Sequence, residues 1–255
     1  MRNLPTVTRY LLIANLIVFL LAAVLQRSGI NLNFLCGLHY LTAPTFHWWQ
    51  PLTYMFLHAD FGHIFCNMFA VWMFGPVIEQ QWGERRFLVY YLVCGLGAAL
   101  VQECVWALML SNMSGTYDAA SLAYYASMMN TIGASGAVFG ILFAFGWLFP
   151  DVPMFLLFVP IPIRARTFVI FYALLELMAG LGSVTGLTPD HVAHFAHLGG
   201  LFFGWLLILY WRRVNWREPR IGEWWNQLKN LFRRHQRLDS SKEADQDKYH
   251  YQKRV

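Results

Sequence analysis

Long, unbroken apolar runs recur six times along this chain, at about 10–25, 61–78, 87–110, 135–149, 167–181 and 191–211. Each approaches the roughly 20 residues that carry an α-helix across a hydrocarbon core. The runs are continuously apolar and do not alternate, which excludes a membrane β-barrel. In lipid, an isolated segment satisfies all its backbone N–H and C=O groups only as a helix. The expected fold is therefore an all-α membrane protein, a bundle of six transmembrane helices. Composition agrees: 57% of residues are hydrophobic and 13% charged, against about 25% charged in soluble domains.

The remaining charges orient the bundle. Arg2 and Arg9 precede the first run, Arg85 and Arg86 join the second to the third, and Arg164 and Arg166 join the fourth to the fifth. Connections 111–130 and 182–190 carry no Lys or Arg, and 26–51 carries only Arg27. By the positive-inside rule both termini are expected in the cytoplasm. The second, fourth and sixth helices then all begin at the outer side. Connection 26–51 is rich in aromatics, among them Phe34, Tyr40, Trp48 and Trp49, so this first outer loop is expected to lie in the interface.

Of the 19 Lys and Arg residues, 12 follow Trp211. The chain thus reads as a six-span domain, 1–211, and a short cytoplasmic tail, 212–255, that is basic, amphipathic and partly disordered. The bilayer is the partner this charge suits. No basic stripe interleaves with stacking aromatics, so no nucleic-acid partner is expected. Cys36, Cys66, Cys94 and Cys104 form no C-x-x-C pair, and neither a disulfide framework nor a zinc site is expected. The N-terminal run reads as a retained span, not a cleaved signal. A short N-terminus without a transit-like segment points to a bacterial cytoplasmic membrane.

Polar residues inside such spans are costly and mark function. The fourth span covers only about 23 Å at 1.5 Å per residue, less than the hydrocarbon thickness of about 30 Å. Its outer end, at Ser135, is therefore expected below the outer surface, reached by non-helical backbone that lines a water-filled cavity. A serine there has a helix N-terminus behind it, whose free N–H groups favour an oxyanion. Gly133 and Gly136 allow a tight turn and close approach. Serine is also a common helix cap, so Ser135 gains meaning from a partner.

That partner is His197, near the outer end of the sixth span. Gly136 and Gly140 make one G-x-x-x-G step and Gly200 and Gly204 another, with Gly199 beside them; small residues at this spacing let helices pack closely. Histidine titrates near neutrality, so it can take the serine proton and return it to a leaving amine. Phe139, one turn after Ser135, can hold the imidazole by stacking. His63 and Asn67 share a face of the second span and can donate to a tetrahedral oxyanion. Asp190 lies about two turns above His197, which leaves a Ser–His dyad with no acidic third member. Glu103 and Glu176 are assigned no catalytic role, with an acid–base pair through Glu176 as the lesser alternative. His58, His191 and His194 are expected nearer the outer surface, in solvated or interfacial roles.

These residues resemble the rhomboid family of intramembrane serine proteases. The resemblance rests on Gly133-x-Ser135-Gly136 with Gly140, on Ala196-His197-x-Gly199-Gly200 with Gly204, and on His63-x-x-x-Asn67 after Thr53-x-x-Phe56-Leu57-His58. Gly75-x-x-x-Glu79-x-x-x-Gly83 followed by Arg86-Phe87 also fits. It implies a rhomboid-type bundle, Ser135 as nucleophile, His197 as general base and acid, and an oxyanion hole from Ser135, His63 and Asn67. It further implies transmembrane protein substrates cut near the outer face, with lateral access past the fifth span and a cap at 182–190. No cofactor or metal is called for. Trp49-Gln50 stands where the family often has Trp-Arg, which puts the anchoring of the first loop in question.

Two other functions fit parts of this pattern. One is an inactive relative that binds and escorts membrane clients, although such relatives typically lack the serine or histidine. The other is a metal-dependent protein using His63, His194 and His197 around zinc, without the H-E-x-x-H helix that supplies ligands and base together.

Overall fold

A computed structural model describes residues 4–156, 159–185 and 193–214. Its elements in chain order are α1 (Thr6–Arg27), α2 (Leu32–Cys36), β1 (Leu38–His39), α3 (Gln50–Thr53) with a 3-10 turn at Tyr54–Phe56, α4 (Phe61–Trp82), α5 (Glu84–Met113), α6 (Ala119–Met128), β2 (Asn130–Thr131), α7 (Ser135–Leu148), β3 (Pro153–Leu156), β4 (Val159–Arg164), α8 (Ala165–Thr185) and α9 (His194–Arg213). Five helices, α1, α4, α5, α8 and α9, are long and apolar enough to cross a membrane, and α7 is a shorter apolar helix. The six apolar runs of the sequence fall in these six elements, and the architecture is an all-α membrane bundle. The tail beyond Val214, Arg2 and most of the 182–190 cap lie outside the described residues.

The bundle is organised around α7. Eleven of its 14 residues are buried, and it packs against α4, α5, α8 and α9. A helix apolar on all sides belongs at the centre of such a bundle. At 1.5 Å per residue it extends about 21 Å, so its first turn lies within the bundle. The outer helices show the complementary pattern: Leu16, Ile17 and Leu20 on α1, and Ile170, Phe171 and Met178 on α8, are exposed. Large apolar faces turned outward suit lipid.

Small residues set the helix contacts, in a wider arrangement than two facing G-x-x-x-G steps. A Cβ at Gly200 would overlap the Gly136 carbonyl, so α7 and α9 meet backbone to backbone. Gly136, Gly140, Gly199 and Gly204, however, also face α5, through Ala98, Cys94, Val101 and Tyr90 respectively. The Tyr90 hydroxyl donates to the Gly140 carbonyl at 2.9 Å. The glycine steps thus join three helices, α5, α7 and α9, and not α7 and α9 alone.

The connections hold structure that apolar periodicity does not signal. Connection 111–130 contains α6, capped by Asp118, whose carboxylate accepts from the Ser121 N–H at 2.7 Å. Two short antiparallel ladders, β1–β2 and β3–β4, satisfy backbone groups in the loops. In the first loop, Gln50 is fully buried. Its Oε1 accepts from the His47 N–H at 3.0 Å, and its Nε2 donates to the Thr45 carbonyl at 3.0 Å and the Leu35 carbonyl at 3.3 Å. The amide therefore ties the loop to its own backbone.

Glu79 on α4 is 2% exposed and caps the start of α1. Its carboxylate accepts from the Val7 N–H at 2.8 Å, the Thr8 N–H at 2.7 Å and the Thr8 hydroxyl at 2.7 Å. Two of the N–H groups that a helix start leaves unpaired are thereby satisfied. Hydrogen bonds to a charged group are worth about 1.5–3 kcal/mol each, and buried donors left open add to the loss. Glu79→Ala is expected to destabilise the protein by about 3–5 kcal/mol, read as an earlier unfolding midpoint in SDS titration of the detergent-solubilised protein.

Candidate active site

The segment that delivers Ser135 is extended. β2 pairs with β1 in the register Leu38↔Thr131 and His39↔Asn130. Gly133 then turns with φ +134°, a conformation that favours glycine, and its N–H donates to the Tyr54 carbonyl at 2.9 Å. A Cβ at Gly133 would lie 2.7 Å from His63 Nε2, so a larger residue would push that imidazole away. Ala134 is the cap of α7, and Ser135 is the first helical residue. Its hydroxyl is thus free for another partner.

That partner is the imidazole of His197, whose Nε2 lies 2.8 Å from Ser135 Oγ. His197 is in the first turn of α9 and is 9% exposed. Its ring is stacked on Phe139, with centroids 4.4 Å apart and planes 7° from parallel. Phe139 is stacked in turn on Tyr172 of α8, at 4.9 Å. The imidazole is therefore held face-on and edge-on at once.

The acidic group comes from an unexpected helix. Glu176 of α8 places Oε2 2.8 Å from His197 Nδ1, which corrects the expectation that no carboxylate reaches this histidine. The same oxygen lies 2.7 Å from His194 Nδ1. His194 is therefore bonded within the bundle rather than solvated. A carboxylate only accepts, so in the neutral imidazole Nδ1–H donates to Glu176 and Nε2 presents its lone pair to the serine hydroxyl. The sequence carried part of the signal: an acid within a span requires a partner, and His194 and His197, three apart, share one helix face, but the rotation of α8 that joins them is not written in its apolar run. Glu103 has a different task, accepting from the Leu41 N–H at 2.9 Å and so holding the first loop.

A cavity of about 500 Å3 opens over Ser135, lined by His63, Asn67, Thr131, Phe139, Tyr172 and His197 among others. The Ala59 N–H reaches His63 Nδ1 at 3.4 Å, which leaves Nε2–H as the donor on the side of Gly133 and Ser135. Asn67 is 5% exposed, and among the described residues its Nδ2 has no hydrogen-bond partner. A buried amide in that state carries an uncompensated desolvation cost. The donors and the positive end of the α7 dipole both border this cavity. The structure does not join His63 to His194 and His197 in one cluster; among the described residues the group within ligand distance is Glu176, His194 and His197.

Next to His63, His58 is 2% exposed, and the two rings meet edge-on at 5.0 Å. Burial, and then the neighbouring His63, hold it down at about 4, against partial opposition from Asp60. The unfolded chain takes up this proton near the ordinary value of 6.5, so the stability due to neutral His58 is complete above about pH 6.5. It is lost progressively as pH falls toward about 4. A separation of this size corresponds to about 3 kcal/mol. Thermal unfolding in detergent at pH 7.5 and pH 4.5 is expected to show a smaller difference for His58→Phe than for the unaltered protein.

Comparison with known proteins gives the chain its relatives. A family profile for the Rhomboid domain matches residues 45–214, which include every residue of the cavity named above. The chain is 30% identical over 159 residues to RHOMBOID-like protein 1 of Arabidopsis thaliana, covering 62% of this chain and 33% of that protein. It is 29% identical over 156 residues to Rhomboid protein 1, mitochondrial, of Saccharomyces cerevisiae, covering 60% and 40% respectively. It is 33% identical over 94 residues to the putative rhomboid protease YdcA of Bacillus subtilis, covering 37% and 38%. The chain thus spans well under two thirds of the length of these relatives. With the profile extending over two thirds of the chain and five of its six apolar helices, all but α1, the chain belongs to the rhomboid family of multi-pass membrane proteins.

Proposed function

We propose that this protein is an intramembrane serine endopeptidase, hydrolysing peptide bonds in or next to the transmembrane segments of membrane-protein substrates. The observation that carries the reading is the 2.8 Å contact between Ser135 Oγ and His197 Nε2 at the floor of a polar cavity. His197 Nε2 accepts the hydroxyl proton as Oγ attacks the scissile carbonyl carbon, and the carbonyl oxygen becomes an oxyanion. The backbone N–H of Ser135, His63 Nε2–H and Asn67 Nδ2–H stabilise that charge. His197 then returns the proton to the leaving amine, the C–N bond breaks, and an acyl-enzyme remains. Water repeats the sequence and releases the acid. Glu176 keeps Nδ1 protonated and the ring in register, as a positioning residue.

The charge pattern supports cytoplasmic termini, a tail resting on the inner leaflet and a cavity opening toward the outer face. Single-span substrates unwound by small or helix-breaking residues would present a strand there. A fluorophosphonate probe tests the reading, since it phosphonylates only an activated serine. Labelling of the detergent-solubilised protein is expected at Ser135, and it is expected to vanish in Ser135→Ala. A folded protein that takes no label would instead be a relative that binds and escorts clients without cleaving them.

A further inference from the structure

Glu176, His194 and His197 offer one carboxylate oxygen and two imidazole nitrogens, all within 4.8 Å of one another. The separations from Glu176 Oε2 are 2.7 Å to His194 Nδ1 and 2.8 Å to His197 Nδ1. Tetrahedral zinc with bonds of about 2.0–2.1 Å sets its ligand atoms about 3.3 Å apart. The two carboxylate–imidazole pairs therefore need to open by only about half an ångström to receive the ion, and the two imidazole nitrogens lie within 4.8 Å of each other. Two histidines and a glutamate, with water in the fourth position, are a donor set suited to this metal. His194 and His197 lie one turn apart on α9, and Glu176 approaches from α8, so the ligands are already gathered on rigid elements.

The cluster lies between two cavities. His197 faces the cavity above Ser135, and His194 lines a second cavity, of about 280 Å3, with Gly180, Ser183 and Ala193. The three side chains each keep 9–11% of their surface exposed.

We propose that Glu176, His194 and His197 form a regulatory binding site for a divalent transition metal, best matched by Zn2+, and that its occupation switches the protease off. The inhibitory part rests on His197 acting as the general base; the binding part does not. Zn2+ takes the lone pair of a neutral imidazole nitrogen. Bound at Nδ1 of His197, it requires that the ring proton sit on Nε2. The protons that Nδ1 of His197 and Nδ1 of His194 gave to the Glu176 carboxylate are thus each relocated to Nε2 of the same ring, and nothing is oxidised or reduced. Nε2 then shows Ser135 an N–H in place of a lone pair and cannot accept the hydroxyl proton. The same exchange removes Glu176 from its positioning role, because its carboxylate now binds the ion. One ion therefore disables both supports of the nucleophile without touching it.

Two measurements on the full chain in detergent test this. In the first, Co2+ is titrated into the Ser135→Ala protein, which keeps all three donors. One equivalent is expected to bind with the visible absorption of a tetrahedral site, and Zn2+ is expected to bleach it. His194→Ala in the same background is expected to weaken binding more than about 100-fold, since losing a direct ligand exceeds the 10–100-fold that supporting groups contribute. In the second, fluorophosphonate labelling of Ser135 is expected to fall at least tenfold at saturating Zn2+, to return with EDTA, and to be insensitive to Zn2+ in His194→Ala. Co2+ binding that is unchanged by His194→Ala, or absent, overturns the site. Stoichiometric binding with undiminished labelling overturns the inhibition. If the metal-free protein takes no label at all, the protease reading fails, and the Co2+ titration alone still decides whether the metal site exists.

Discussion

Replacing either Ser135 or His197 with alanine is expected to lower kcat for cleavage of a single-span reporter in proteoliposomes by about 10⁴–10⁶-fold. Each substitution removes one end of the 2.8 Å contact through which the hydroxyl loses its proton. The two groups act as one unit, so the double variant is expected to be no slower than the slower single variant. Additive losses would mean that serine and histidine work separately, and would remove the mechanism. KM for the reporter is expected to change little, because neither side chain contributes the apolar surface that binds a transmembrane segment. The variants should also remain folded. Ser135→Ala deletes one oxygen from the start of a helix capped by Ala134, and His197→Ala leaves the close contact of Gly136 with Gly200 in place.

Glu176→Gln is expected to lower kcat by about 10²–10⁴-fold with KM nearly unchanged. The substitution preserves size, and it replaces a group that can only accept with one that also presents N–H toward Nδ1. A neutral amide at this point favours the tautomer with its proton on Nε2, which is the mechanism of the largest such losses in serine proteases. Glu176→Asp keeps the charge but retracts it, so it is expected to retain more activity than Gln. A purely structural glutamate would behave differently: activity would follow the unfolding midpoint, and Asp would be no better than Gln. Measuring kcat, KM and the SDS midpoint together on the two variants separates these cases.

The contrast between Ser135 and Glu176 shows what a linear sequence can convey. Ser135 and His197 stand out because each opens an apolar run, beside glycines that demand close packing. Depth follows from run length and charge placement, so two residues 62 apart can be matched without coordinates. Glu176 sits mid-run, where an acid reads as an expense with no visible creditor, and its value depends on how α8 is rotated. Rotation is set by side-chain packing against α7 and α9, which periodicity does not resolve when a helix is apolar on most faces. Phe139 was legible for the opposite reason: one helical turn fixes its direction relative to Ser135 whatever the bundle does. The two ladders and Gln50 were hidden because their hydrogen bonds join loop backbone, and loop backbone carries no periodic code.

The pairing of β1 with β2 makes the long first loop and the strand leading to Ser135 a single mechanical piece. Whatever grips that loop, whether lipid at Trp48 or a passing helix, also grips the seat of the nucleophile. Thinning the surrounding bilayer, or shifting the loop by a single substitution far from the cavity, should therefore alter turnover while every reacting group stays chemically intact.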